Sequence, residues 1–240
     1  MTQTKFYYQT PDSLLPPASF EAEFWMEEVP GGLQTRVKQI FTNREEIPAE
    51  ELEAEGFSAS DDFSWEGILP PVWKEEWMRN LAQENWLSEE TAQRIFFQME
   101  GKTGIFFPSH EEKWTLFAEE LIQACLEIAG RELPMEMVLG RLEKSNFYES
   151  ARIQWLFTER SVVLELPRQD QLSWEEPYWK SSREQVREWV EKAAEKEDLY
   201  QLPKSKGWFW LLNGEAWLAY IPGQKGEIWE ILSKKVPGLT

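Results

Sequence analysis

Residues 19–43 read SFEAEFWMEEVPGGLQTRVKQIFTN, and this stretch decides the fold class. Apolar and polar residues alternate over part of 19–29. They alternate again over 33–43, where Thr35 and Gln39 separate Leu33, Val37 and Phe41. A period of two turns one side of a strand to a core and the other to water. Pro30-Gly31-Gly32 between the runs is a turn signal, so the stretch predicts a β-hairpin.

Working outward, the C-terminal side of the hairpin is an acidic run, Glu45 to Asp62, with eight carboxylates and no basic residue. A helical region follows from about Pro71 to Met99, broken near Ser88, where Glu89 and Glu90 mark a fresh helix start. Gly104 to Phe107 is short, aromatic and bounded by Gly and Pro, which predicts a strand. Residues 111–129 carry Trp114, Phe117, Leu121, Ile122, Cys125 and Leu126 at helical spacing. Ser109 and Glu112 have the spacing of a capping box, and Gly130 ends the helix. Strands are expected near 134–143, 151–157 and 161–166, and a helix over about 182–197. A hairpin is expected around Asn213-Gly214, and a short helix over about 226–235. Strands and helices in mixed order make the class α+β, with mixed or antiparallel sheets and packed helices.

Arg36 to Arg44 (RVKQIFTNR) resembles Arg152 to Arg160 (RIQWLFTER), with four of nine positions identical. Ser64-Trp65-Glu66 recurs as Ser173-Trp174-Glu175, and Trp73-Lys74 as Trp179-Lys180. Gly104 to Phe107 is echoed by Gly207 to Trp210. Matches in the same order predict two diverged strand-strand-helix-strand-helix units from an internal duplication. They would span 18–130 and 131–240, with 1–17 as an N-terminal extension. The duplication predicts that Arg44, Trp65 and Phe106 superpose on Arg160, Trp174 and Phe209.

Composition narrows the function. The chain has 240 residues, 43 acidic and 25 basic, for a formal net charge of −18. Nine basic and 25 acidic residues fall in 1–130, so the first unit carries nearly all the excess. Such a charge opposes nucleic acid or anionic lipid as a partner. No apolar run has the length of a membrane span, and no signal-peptide pattern opens the chain, so a cytoplasmic location is expected. One Cys makes no internal disulfide, and one His makes no multi-His metal site. Gly101-Lys102-Thr103 lacks the upstream glycine of a phosphate loop, because position 96 is Phe. No cofactor or metal is therefore expected.

Few residues offer themselves for chemistry. His110 falls in the first turn of the 111–129 helix and reads as an exposed residue there. Cys125, on the apolar face of that helix, reads as a small core side chain. Under the duplication, Glu66 and Glu175 become pseudo-equivalent, and two carboxylates across a cleft would suit acid/base hydrolysis. The acidic run offers a different surface. Glu50, Glu51, Glu53, Glu55, Asp61 and Asp62 would attract a basic partner, and Trp65 just beyond them would anchor it. The 14 Trp are too many to be core alone, so some are expected at the surface. The reading is a soluble acidic protein-binding factor: an adaptor, assembly factor or inhibitor docking a basic surface of a partner protein. The alternative is a carboxylate-dependent hydrolase with its site between the two units.

Overall fold

The computed structural model describes residues 3–54, 56–58, 61–87, 94–99, 103–143, 146–166, 172–174, 207–214, 216–219, 232 and 234. The chain divides into two units, Met1–Glu132 and Leu133–Thr240.

The first unit is built on five antiparallel strands. β1 (Thr4–Gln9), β2 (Phe20–Val29), β3 (Gly32–Phe41) and β4 (Phe63–Leu69) form a meander, interrupted before β4 by the short helix α1 (Ala49–Ala54). Helix α2 (Pro71–Gln83) leads on to β5 (Trp86–Leu87) and β6 (Ile95–Met99), and β6 pairs with β1 on its free side. β5 pairs with β7 (Phe107–Pro108), and α3 (Glu111–Ile128) closes the unit. The sheet order is β4-β3-β2-β1-β6.

The β2–β3 hairpin expected from alternation is present in register, with Phe24 opposite Val37. Three expectations are corrected. Residues 4–9, read as part of an extension, form an inner strand, because Phe6 and Tyr8 face the core between two partners. Residues 63–69 form the strand β4, which stands between the hairpin and α2 where the strand-strand-helix order expects none. Residues 95–99 form β6, because Ile95 and Phe97 point inward while Phe96 between them points out. The unit therefore has four strands before its first long helix, not two. The helix start at Ser88 lies outside the described residues.

The core of this unit is aromatic. Phe6 stacks on Phe24 at 4.2 Å and on Phe97 at 5.1 Å between ring centroids, and Trp77 from α2 lies 5.9 Å away. Trp114 from α3 meets Phe97 at 4.8 Å and Trp77 at 5.7 Å, both edge-on. Burying each such ring contributes about 1.5–3 kcal/mol from area alone, and edge-to-face pairs add to that. Trp73, Trp77 and Trp114 are all buried, so much of the Trp surplus expected at the surface is core.

Among the described residues the second unit holds six antiparallel strands in the order β11-β10-β9-β8-β12-β13. These are β8 (Met135–Glu143), β9 (Asn146–Leu156), β10 (Ser161–Glu165), β11 (Leu172–Trp174), β12 (Gly207–Leu212) and β13 (Ala216–Ala219). Asn213 and Gly214 both have positive φ, 48° and 75°, which is the two-residue turn their identities predict. At Gly140 the β8–β9 register shifts, and an added Cβ would lie 2.4 Å from the Phe147 ring, so only glycine fits. The helix expected over 182–197 lies outside the described residues, as does nearly all of the one expected over 226–235.

The repeated motifs fall unevenly on these strands. Trp65 and Trp174 both sit on the fourth strand of a meander, opposite Val37 and Val162. The Arg36–Arg44 match does not fit this pattern: it follows the third strand of one meander and the second of the other. Phe106 bridges Phe97 outside the named strands, whereas Phe209 lies in β12, the strand beside the first one of its sheet. The Phe-Thr-x-Arg similarity reflects a local device instead. Each copy ends a strand, carries a non-glycine residue at positive φ (Asn43, Arg160) and buries its arginine.

Candidate functional site

The expected partner-binding residues separate into two groups. Arg44, buried at the end of β3, organises the acidic run from within. Its guanidinium lies 3.6 Å from the centroid of the Phe41 ring and 5.0 Å from that of Phe57. It donates to the carbonyls of Pro17 (2.7 Å) and Ser58 (2.6 Å) and to Asp61 (2.6 Å). Asp61 also accepts from the Ser58 N–H and hydroxyl. Partial burial alone would raise the Asp61 carboxyl, but the Ser58 and Arg44 bonds outweigh it and hold it below its ordinary value. Asp62 accepts the Phe41 N–H at 3.0 Å. Both aspartates are thus engaged in holding the loop to the sheet.

The glutamates are not. Leu52 buries one side of α1 in the unit, and this leaves Glu50, Glu51 and Glu53 exposed, with Glu45 and Glu46 exposed just before the helix. Among the described residues none of these five carboxylates has a hydrogen-bond or ion-pair partner. Glu55 lies outside the described residues. Trp65 is half-buried on the edge strand β4, its ring lying over Gly67, where a Cβ would lie 2.5 Å from it.

The outer face of the same sheet makes a useful contrast. One cross-strand row runs Gln98, Lys5, Trp25, Arg36, Glu66, and the next Phe96, Tyr7, Glu23, Lys38, Ser64. Lys5 lies over Trp25 at 4.9 Å and pairs with Glu23, while Arg36 donates to Glu66 at 2.8 Å. Two ion pairs, Lys5–Glu23 and Arg36–Glu66, thus form on this face. The Arg36 hydrogen bond holds the Glu66 carboxyl below its ordinary value, so it stays ionised. Glu175 lies outside the described residues.

His110 is exposed at the start of α3 as expected, but Ser109 does not form the expected capping box. His110 is the N-cap residue of α3 and makes no side-chain cap, and Ser109 donates its hydroxyl to Glu84 at 2.7 Å. Glu84, at the end of α2, takes the place of the capping box. It accepts the N–H groups of Ser109 (2.7 Å) and His110 (3.3 Å) and the Trp114 indole N–H (2.8 Å). Burial would raise this carboxyl, yet the bonds from Ser109, Trp114 and His110 prevail and lower it. Cys125 is fully buried, and burial pushes its thiol far up, as suits a core side chain. Among the described residues, no three His, Cys, Asp or Glu side chains form a metal-binding group. No helix among them is long and apolar enough to cross a membrane.

Comparison with family models, with curated proteins and with solved structures finds no match to this chain.

Proposed function

We propose that this chain is an acidic protein-binding factor of the cytoplasm, an adaptor, assembly factor or inhibitor, that docks a basic surface of a partner protein through the 45–62 segment. The observation that supports it most is the set of five exposed, unmatched carboxylates around α1, carried on a segment that Arg44, Asp61 and Leu52 fasten to the sheet. A fastened cluster of like charge speeds encounter with a basic partner without ordering a loop on arrival. Trp65, half-buried three residues beyond Asp62, is the anchor of this reading. The two units are also proposed to be diverged copies of one ancestral unit, although the Arg44–Arg160 equivalence fails, Arg44 following the third strand of its meander and Arg160 the second. Their shared arrangement supports this, since each sheet is a four-strand meander whose first strand also receives a later strand. The hydrolase reading draws no such support, because an ion-paired, ionised Glu66 is ill suited to donate a proton near neutral pH.

The test is binding kinetics against the partner identified by affinity purification from the native host, measured at two ionic strengths. Glu50, Glu51 and Glu53 changed together to Gln should slow association and flatten its salt dependence, while Trp65→Ala should act on dissociation. An unchanged on-rate in the triple variant removes this segment from the mechanism.

A further inference from the structure

The first unit has a second feature, away from α1. The loop after β1, the starts and ends of β2 and β3, and the last turns of α3 enclose a groove of about 520 Å³, lined by Tyr8, Gln39, Phe20, Glu119, Gln123 and Leu126 among others. This volume falls in the range of small-ligand sites, roughly 300–1,000 Å³. The register explains it. The inner-face row at this level runs Tyr8, Ala22, Gln39, with a small residue at its centre where the neighbouring row, Phe6, Phe24, Val37, carries a ring.

Gln39 is the telling residue. It is only 6% exposed, and among the described residues its carboxamide has no hydrogen-bond partner, so the small part of it that stays accessible is open to the groove. An amide left with its donors and acceptor free toward a groove can pair with a ligand there. Opposite it, the Tyr8 hydroxyl donates to Glu119 at 2.9 Å and fixes one carboxylate oxygen of the groove wall. Burial, then the Glu119 charge, raise the phenol far above its ordinary value, so it remains a donor. Glu132 supplies a second carboxylate, and among the described residues no Lys or Arg lines the groove. Arg94, which is near enough to act on Tyr8, is already paired with Glu111 at 3.1 Å. Leu14, Phe20, Ile122 and Leu126 offer apolar contact between these polar points.

We propose that this groove binds an organic cation: an amine or guanidinium on an aliphatic stem, with an adjoining amide for Gln39. The cation meets Glu119 and Glu132, the stem lies along Phe20 and Leu126, and the amide pairs with the Gln39 carboxamide. A free small-molecule amine and a basic residue of a peptide share this chemistry. The site is separate from α1, so its failure leaves the docking reading untouched, and the reverse holds too.

The experiment is amide-detected NMR titration of the full chain with three probes: N-acetyl-arginine amide, agmatine and N-acetyl-norleucine amide. Saturable shifts at residues of the groove are expected for the arginine amide, with at least tenfold weaker binding of the neutral norleucine probe. Agmatine, which lacks the amide, should bind at least tenfold more weakly than the arginine amide; equal binding overturns the Gln39 contact. Glu119→Gln, which keeps an acceptor for Tyr8, and Gln39→Met, which keeps the volume, should each weaken the arginine probe about tenfold. The proposal is overturned if no probe gives saturable shifts in the groove, if the neutral probe binds equally, or if both folded variants bind like the parent.

Discussion

In β3 of the first unit, Val37 and Gln39 are buried while Arg36 and Lys38 are exposed; in β10 of the second, Val162, Val163 and Leu164 are buried in succession. The first sheet therefore has one dry face and one wet face, and its wet face is laced with cation–aromatic contacts and ion pairs. The second is covered on both sides in β10 and in β8, where Met137, Val138 and Leu139 repeat the pattern, whereas β9 between them alternates and leaves Arg152 and Gln154 only half-buried. Alternation belongs to a sheet packed on one side, and continuous apolar runs to one packed on both. The charge bias follows the same division, since a one-sided sheet has room for the acidic surface that dominates residues 1–130.

The comparison can be broken most severely at the core of the one-sided unit. Trp114 joins the aromatic cluster to Glu84, so Trp114→Ala should cost about 3–5 kcal/mol, read by chemical denaturation. A loss below about 1 kcal/mol would show that the cluster does not hold this unit together.

Paired substitutions test the faces themselves. Val162→Thr and Val163→Thr should each cost about 1–3 kcal/mol, since both bury a hydroxyl. In the first unit Val37→Thr should cost the same, but Lys38→Thr should stay within about 0.5 kcal/mol. If Val163→Thr proves as mild as Lys38→Thr, the second sheet is one-sided after all.

Acid should weaken the first unit through Glu84. Its folded value lies below the ordinary 4.5, so its contribution is complete above that value and is lost as pH falls through the lower one. Glu84→Gln should lower stability at neutral pH and flatten the acid limb of a stability-against-pH profile. A parallel profile would place the acid sensitivity elsewhere.

The smallest effect belongs to the wet face. Arg36→Gln or Glu66→Gln breaks an exposed pair and should leave the denaturation midpoint unmoved. A clear drop would mean that this face is structural rather than merely solvated.

Much was legible locally. The β2–β3 hairpin, the apolar side of α3 and the Asn213-Gly214 turn depend on neighbours a few residues away, and periodicity reports such neighbours directly. The acidic run was legible as charge, but which carboxylates are free was not. Asp61 and Asp62 look like Glu50 and Glu51 in sequence, and only the fold brings Arg44 and the Phe41 N–H to them. β1 carried its own alternation in Phe6 and Tyr8, a signal that a short strand at a chain end makes easy to miss. Gln39 was legible as a polar residue within the hairpin, without any sign that it would be buried and unpaired.

By itself, then, the sequence determined the α+β class, the main hairpins, the amphipathic α3 and the acidic bias of the first half, all of which follow from spacing and composition. Only the tertiary structure decided that β1 lies inside a sheet and that residues 95–99 extend it. The same holds for Glu84, which displaces the Ser109–Glu112 capping box, and for the groove between Tyr8, Gln39 and Glu119. Glu84 and Ser109 are 25 positions apart, and Tyr8 and Glu119 are 111 apart. Hydrogen bonds and packing over such distances depend on which surfaces meet, and one-dimensional periodicity carries no record of that.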